Sequence, residues 1–349
     1  MSIGSGNEAL TAKLHAMHGK RLTPQNYREL IRKQNVFEIA SYIKQQTSYA
    51  SALRDVNENS VHRGQLENNL RQQLFLDYTK ALHYVGAEEM SFYDFFLIRM
   101  EIDEILSCCR FLNAGRQGEY LFSLPSYFAK HAKFDLFGLA KVKSYRDLMA
   151  LLANTPYVPI LKKFDPEASD RADSIRLENE FYRYYYSHVF STADQYFGGE
   201  VLQEIRTAFG IEVDMTNISL IVRLKRYFQK DAKYIRPLLL PFTGYLKSAD
   251  LTDMAAAADS EGVDQVLLHT KYGRELAGGS FDYIEKFAKQ AVYRYNRRLL
   301  AFSNASPVAV VAYLNLKRIE LENLISIIEG VRYGQPPAEI EKVVVGTAD

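Results

Sequence analysis

Lys317 and Glu320 are the residues whose placement first demands a chemical explanation. They lie in the segment YLNLKRIELENLISIIEGVRYGQP, residues 313–336, which winds into an amphipathic helix at about 100° per residue. Leu314, Leu316, Leu321, Leu324, Ile325, Ile327 and Ile328 gather on one apolar face. Asn315, Arg318, Glu322, Ser326 and Glu329 take the other side, while Lys317 and Glu320 fall in the middle of the apolar face. Ionised groups removed from water are costly unless paired, and a spacing of three lets these two reach each other.

Elsewhere the residues capable of catalysis do not converge. The phosphate-cradling GxxxxGK[ST] loop is missing, since Gly19-Lys20 has neither the upstream glycine nor the following hydroxyl residue. The GSG at 4–6 does not follow a strand and is no dinucleotide loop. The seven histidines show neither HExxH nor a Cys/His spacing suited to zinc, and His15 and His18 lack nearby carboxylates at metal-ligand spacing. Neither a GxSxG elbow nor a DDxxD magnesium motif occurs. No catalytic, cofactor-binding or metal residue is therefore assigned. Cys108 and Cys109 are adjacent inside a helical pattern, form neither a disulfide framework nor a CxxC, and read as core residues of a protein kept in a reducing compartment.

Two stretches suggest binding. RLENEFYRYYYSHVF is rich in tyrosine, which with arginine can stack nucleobases, but a helix–helix interface accounts for it more simply. RLKRYFQKDAKYIR carries six cations, Arg223, Lys225, Arg226, Lys230, Lys233 and Arg236, against one aspartate. It reads as a solvated face, or as a partner interface for an acidic protein or anionic headgroups. The near balance of 43 basic and 42 acidic residues argues against a dedicated nucleic-acid binder.

These residues must be positioned by helices. A hydrophobic content of 47% excludes a disordered chain, and helical periodicity dominates while strand signals hardly appear. Thr23-Pro24 and Ser306-Pro307 read as helix starts, each a hydroxyl cap followed by proline at the first helical position. No stretch reaches the roughly 18 apolar residues of a membrane span, and the N-terminus lacks the apolar region of a signal peptide. The pattern repeats. YRELIRKQNVFEIASYI from 27 aligns without gaps on YRDLMALLANTPYVPIL from 145, and LTDMAAAADSEGVDQVL from 251 fits the same register. A second helix follows in each copy, from 66, 177 and 284, and then a third. The chain thus divides into helical repeats at about 1–116, 117–245 and 246–349. In the third helices Arg99, Arg223 and Lys317 superpose roughly as cations on mostly apolar faces, which indicates architecture. Asp103, four residues after Arg99, is placed to pair with it; Arg223 has no acid three or four positions later.

Several of these motifs, in this order, resemble the C subunit of bacterial and archaeal V/A-type rotary ATPases, the equivalent of the d subunit in the eukaryotic vacuolar pump. The resemblance spans about residues 10–345. Lys317, Glu320 and Asn323, followed by Ile327 and Gly330, are similar to the family's closing K-x-x-E-x-x-N pattern, and Asp214, Asn217 and Arg223 to its D-x-x-N…R segment. The resemblance implies an all-α, funnel-like pseudo-threefold arrangement of three related helical domains, without an active site or cofactor. It implies one copy per complex, a monomer when isolated, seated on the cytoplasmic face of a membrane proteolipid ring and receiving the foot of the central shaft. Such a rotor part transmits torque for ATP-driven ion transport or ATP synthesis, and Lys317–Glu320 then reads as a polar lock fixing helix register. A helical-repeat scaffold of another complex is the alternative.

Overall fold

The computed structural model describes residues 4–347, apart from 59, 87, 117–119, 121–123, 165–173 and 276–282. The described residues form helices and turns with no strand, so the fold is all-α. In chain order the helices are α1 (Gly4–His18), α2 (Pro24–Ile31), α3 (Val36–Gln46), α4 (Arg63–Leu82), α5 (Met90–Tyr93), α6 (Phe95–Asn113), α7 (Tyr145–Leu151), α8 (Val158–Leu161) and α9 (Ser174–Tyr196). They continue with α10 (Gly199–Phe228), α11 (Ala232–Ile235), α12 (Ser248–Ala256), α13 (Ser260–Leu268), α14 (Lys271–Glu275), α15 (Ile284–Phe302), α16 (Ser306–Arg332) and α17 (Pro337–Glu341).

The helix starts follow local chemistry. Thr23 caps α2 by accepting the Asn26 N–H, Asn26 reaches back to the Thr23 N–H at 2.8 Å, and Pro24 supplies the preset first turn. Ser144, Asn35, Asp231 and Asp259 cap α7, α3, α11 and α13 in the same manner. The Ser306 start differs from the expectation. Helix α16 does begin there, but Ala305 occupies the cap position, Ser306 is already helical, and Ser303 Oγ accepts the Ala305 N–H at 3.3 Å.

The chain folds into two compact units. One comprises residues 85–196; the other joins 1–84 to 197–349. In the first, α6 packs on α9, which also covers α5 and α8. In the second, α10 packs on α12, α13 and α15, while α16 lies against α1, α2, α3 and α4 as well as α10, α15 and α17. The helices α6, α10 and α16 thus each bury a face against helices outside the stretch, 1–116, 117–245 or 246–349, in which they lie. For α16 those are the first helices of the chain.

Helix α16 is the core of its unit. Every residue from Ser306 to Leu316 is buried, so its first half is covered all round and only its second half has an open side. This corrects the placement of Asn315 on a solvent face: it is buried, and its Nδ2 donates to Asn296 Oδ1 at 3.3 Å. Leu324, Ile327 and Ile328 are fully buried, each contributing about 1.5–3 kcal/mol by its removal from water.

Candidate functional site: three buried carboxylate clasps

The long helices α6, α10 and α16 each carry a buried acid that faces a loop, Glu101, Asp214 and Glu320, and α10 buries Glu212 as well. Each sits where the helix faces a loop and a tyrosine, and each accepts hydrogen bonds on both oxygens from donors of its own unit.

Glu101 Oε1 accepts the Lys133 backbone N–H at 2.6 Å, and its Oε2 accepts a short hydrogen bond from the Tyr157 hydroxyl. Tyr157 is fully buried, just before α8. Asp214 collects four donors. Its Oδ1 accepts Gly244 N–H at 3.0 Å; its Oδ2 accepts Tyr245 N–H at 2.7 Å, Leu246 N–H at 3.1 Å and the Tyr272 hydroxyl at 2.7 Å. That loop reaches the acid because two glycines touch. A Cβ on Gly210 would lie 2.6 Å from Gly244 Cα, and one on Gly244 would lie 2.5 Å from the Gly210 carbonyl carbon. Glu320 Oε2 accepts the Leu22 N–H at 2.7 Å, while Oε1 accepts the Tyr49 hydroxyl at 2.8 Å and lies 2.5 Å from Lys317 Nζ.

The parts recur: an acid on a long helix, a loop backbone N–H, and a buried tyrosine hydroxyl. A second polar residue follows three positions later in each helix. Asn217 pairs with both backbone groups of Leu240 at 2.9 and 3.1 Å, and Asn323 with both of Val345 at 3.2 and 2.7 Å. On α6 the position is Glu104, which accepts the Tyr120 hydroxyl at 2.6 Å. One turn of helix thereby holds two flanking segments. Hydrogen bonds to charged groups are worth about 1.5–3 kcal/mol each, and losing one partner of a buried acid costs more than the bond's net value.

Electrostatics separate the third clasp from the other two. Burial pushes the Glu101 and Asp214 carboxyls above the ordinary carboxylate range, against the pull of their hydrogen bonds. Burial pushes Glu320 in the same direction, but the Lys317 ammonium beside it, with the Leu22 and Tyr49 donors, holds it below its ordinary value. Lys317 also lies 4.1 Å from the centre of the Tyr49 ring, so the cation has an aromatic face as well as a counter-ion.

The residues singled out in the sequence fall in different places. Lys317 and Glu320 meet as a buried ion pair. Arg99 lies 3.4 Å from Asp103 and stacks over the rings of Tyr182 at 4.4 Å and Tyr185 at 5.4 Å. Arg223 is exposed on α10, nine residues beyond Asp214, so it does not share the place of Lys317, three before Glu320. Aligned on the acids, the counterparts of Arg99 are Glu212 and Arg318, which pair with each other at 3.0 Å. In the basic run Lys225 is buried, and its ammonium donates to the Ala257 carbonyl at the end of α12. A helix end leaves carbonyls without helical partners, and Lys225 satisfies one, so it is withdrawn from any partner surface. Lys233 and Arg236 are exposed, and Lys230 lies over the Tyr234 ring at 4.9 Å. In the tyrosine-rich stretch Tyr185 and Tyr186 are buried within their unit. Cys108 and Cys109 are buried free thiols, both pushed up to about 12 by burial, which leaves them unreactive. Among the described residues no group of histidine, cysteine and acidic side chains could hold a metal ion, and no helix is long and apolar enough to cross a membrane.

Sequence reasoning missed Glu101 and the tyrosines Tyr49, Tyr157 and Tyr272, and read Asp214 only as part of a motif. The available signal was the acid-x-x-polar spacing shared by Glu101-Glu104, Asp214-Asn217 and Glu320-Asn323. Aligning on the cations concealed it.

Fold and site together define an all-α protein whose buried acids accept hydrogen bonds from loop backbone and tyrosine hydroxyls, each donor coming from within its own unit. The chain belongs to the ATP synthase (C/AC39) subunit family, whose model matches residues 10–343. It is similar to the C subunit of the A-type ATP synthase of Methanosarcina acetivorans, 25% identical over 340 residues that cover 94% of this chain and 89% of that protein. The same subunit from Archaeoglobus fulgidus is 22% identical over 355 residues, covering 98% of both chains. That of Methanosarcina mazei is 24% identical, with 95% and 91% covered.

Proposed function

We propose that this chain is the non-catalytic central-stalk subunit of a V/A-type rotary ATPase, joining the central shaft to the membrane proteolipid ring and transmitting torque between them. The carrying observation is the recurrence of a buried acid clasp on α6, α10 and α16, each tying a long helix to a loop and a tyrosine. A part that transmits torque must not shear locally. Segments held only by exposed backbone hydrogen bonds and few apolar contacts open at low free energy, whereas helices pinned by buried polar contacts in a packed core do not. Family membership supplies the machine in which such stiffness is needed.

In this reading the repeats at 1–116, 117–245 and 246–349 are three related domains in a funnel-like pseudo-threefold arrangement, the chain lies on the cytoplasmic side as a peripheral part of the complex, and one copy is present. Arg99–Asp103 and Lys317–Glu320 fix helix register, and Arg226, Lys230, Lys233 and Arg236 belong to a surface for a polar partner. The test is coupling. Membranes carrying the complex without this chain should keep ATP hydrolysis in the soluble sector and lose ATP-driven ion transport, and adding the purified chain should restore transport. Full transport without the chain would refute the proposal.

A further inference from the structure

The long helices α10 and α16 end on the same side of the larger unit, which joins 1–84 to 197–349. Helix α15 runs opposite to α16, linked to it through 303–305, and Asn315 donates to Asn296 at 3.3 Å along their contact. It also runs opposite to α10. Ser303, just past the end of α15, donates to Glu204 near the start of α10 at 2.9 Å, whereas Ala291 shares a cavity wall with Ile211 farther along α10. Helices α10 and α16 therefore run the same way, and Glu212 meets Arg318 between them at 3.0 Å. Tyr227 follows Glu212 by fifteen residues, and Tyr333 follows Arg318 by fifteen. At about 1.5 Å per residue both tyrosines lie about 22 Å beyond that contact, so the two helix tips reach a similar level.

Both tips carry aromatic side chains into solvent. Tyr227 is 69% exposed, Phe228 57% and Tyr333 66%, while Phe209 and Tyr313 on the same helices are buried. Each exposed tyrosine follows an arginine, Arg226 or Arg332, and the Arg332 guanidinium lies 5.3 Å from the centre of the Tyr333 ring. Lys233 and Arg236 are exposed just beyond the first tip. Over 226–236 and 329–342 together, six cations stand with four acids, and three of those acids are engaged. Asp231 caps α11 through the Tyr234 N–H, Glu329 pairs with Arg63, and Glu339 pairs with Lys342 at 2.6 Å.

Exposed aromatic residues clustered in this way mark a contact surface. Tyrosine has an apolar body and a polar tip, which suits the headgroup level of a bilayer, and flanking arginine and lysine are drawn to anionic lipid there. The rings stand on two separate helix ends at one level, a placement that fits a broad, deformable surface better than a single peptide. We propose that this end of the larger unit contacts an anionic bilayer surface, with Tyr227, Phe228 and Tyr333 entering the headgroup layer and the neighbouring cations pairing with lipid phosphates. The proposal supplies a partner for the basic surface at 226–236 and rests on that part of the functional reading, not on torque transmission.

The chain has no tryptophan, so one introduced at a tip reports on that tip alone. Tyr227→Trp and Tyr333→Trp are each mixed with vesicles of phosphatidylcholine, and of phosphatidylcholine with phosphatidylglycerol. Phe302→Trp is the control, because Phe302 is 79% exposed at the far end of α15, on the opposite side of the unit. Circular dichroism verifies folding. With anionic vesicles alone, emission at 227 and 333 should move to shorter wavelength and be quenched by brominated acyl chains, while emission at 302 stays unchanged. Lys233→Gln in the Tyr227→Trp background should weaken vesicle binding about fivefold, the share of one cation near an anionic surface. No shift at either tip, an equal shift at 302, or equal binding to neutral vesicles overturns the proposal. A shift at 227 and 333 that appears in the protein assembly but not with vesicles also overturns it, in favour of a protein contact. Because only the purified chain and lipid enter the vesicle experiment, its failure leaves the coupling test of the proposed function standing.

Discussion

Removing Lys317 while keeping Glu320 is the sharpest perturbation of the third clasp. In Lys317→Met the carboxylate stays buried, with Leu22 N–H and Tyr49 OH as its remaining donors. Breaking a buried ion pair by deleting one partner costs about 3–5 kcal/mol. The two surviving donors place this case at the lower end, about 3 kcal/mol. Glu320→Leu strands an ammonium that is 10% exposed and retains only the Tyr49 ring, so its cost is about 4 kcal/mol. Replacing both residues leaves no stranded charge, although the Leu22 N–H and Tyr49 hydroxyl lose their acceptor, and should melt above either single variant. The larger unit has about 240 residues, for which 1 kcal/mol corresponds to roughly 2–4 °C, so each single substitution lowers Tm by about 6–16 °C. Acid pH supplies an independent signature. In the wild type the Glu320 pKa is held below the ordinary glutamate value of 4.5, so its stabilisation is present above that value and is lost as pH falls through the folded pKa. Without Lys317 the folded pKa rises, protonation relieves the stranded charge, and the gap between Lys317→Met and wild type narrows as pH falls from neutral toward the ordinary glutamate value and below it. Calorimetric melts of the four proteins at about pH 7.5 and about pH 4.5 measure both effects. A double variant melting no later than either single, or a gap that widens at acid pH, would refute the ion-pair lock.

The other clasps give graded expectations. Tyr157→Phe removes one of the two donors held by Glu101 and should cost about 2–3 kcal/mol, whereas Tyr272→Phe leaves Asp214 three backbone donors and should cost about 1 kcal/mol; equal losses in urea unfolding would contradict the assigned geometry. Gly244→Ala forces a methyl group into the α10 backbone at Gly210, and a loss of about 3 kcal/mol or more is expected by calorimetry, where an unchanged Tm would mean that the close approach does not exist. Gln229 ends α10 in the left-handed region at φ 49°, a conformation costing a side-chain-bearing residue roughly 1–2 kcal/mol, so Gln229→Gly should raise the stability measured in urea by about 0.5–1 kcal/mol with an unchanged slope.

What could be read in the sequence was what is local. Helical periodicity and the Thr23-Pro24 cap depend on neighbours within a turn, and both helix and cap stand where the pattern puts them. Lys317 and Glu320 lie three apart on one face, so their pairing was legible as well. Their remaining partners were not. Leu22 and Tyr49 are 298 and 271 residues from Glu320, and Tyr157 is 56 residues from Glu101. Asn315 went to the wrong side because a wheel assumes one open face, while α16 is covered on all sides along its first half. Lys225 resembles its exposed neighbours in every local respect and differs only because the end of α12 crosses it. The Gly210–Gly244 contact joins two glycines 34 positions apart that carry no mark of it in the sequence.

The most direct measurement of the proposed role is native mass spectrometry of the affinity-tagged chain extracted with its partners from membranes in mild detergent. The rotor account predicts an assembly with one copy of this chain, the shaft proteins and a multimeric proteolipid ring. A lone 40.0 kDa monomer from cells in which the remainder of such a rotor is intact would contradict it.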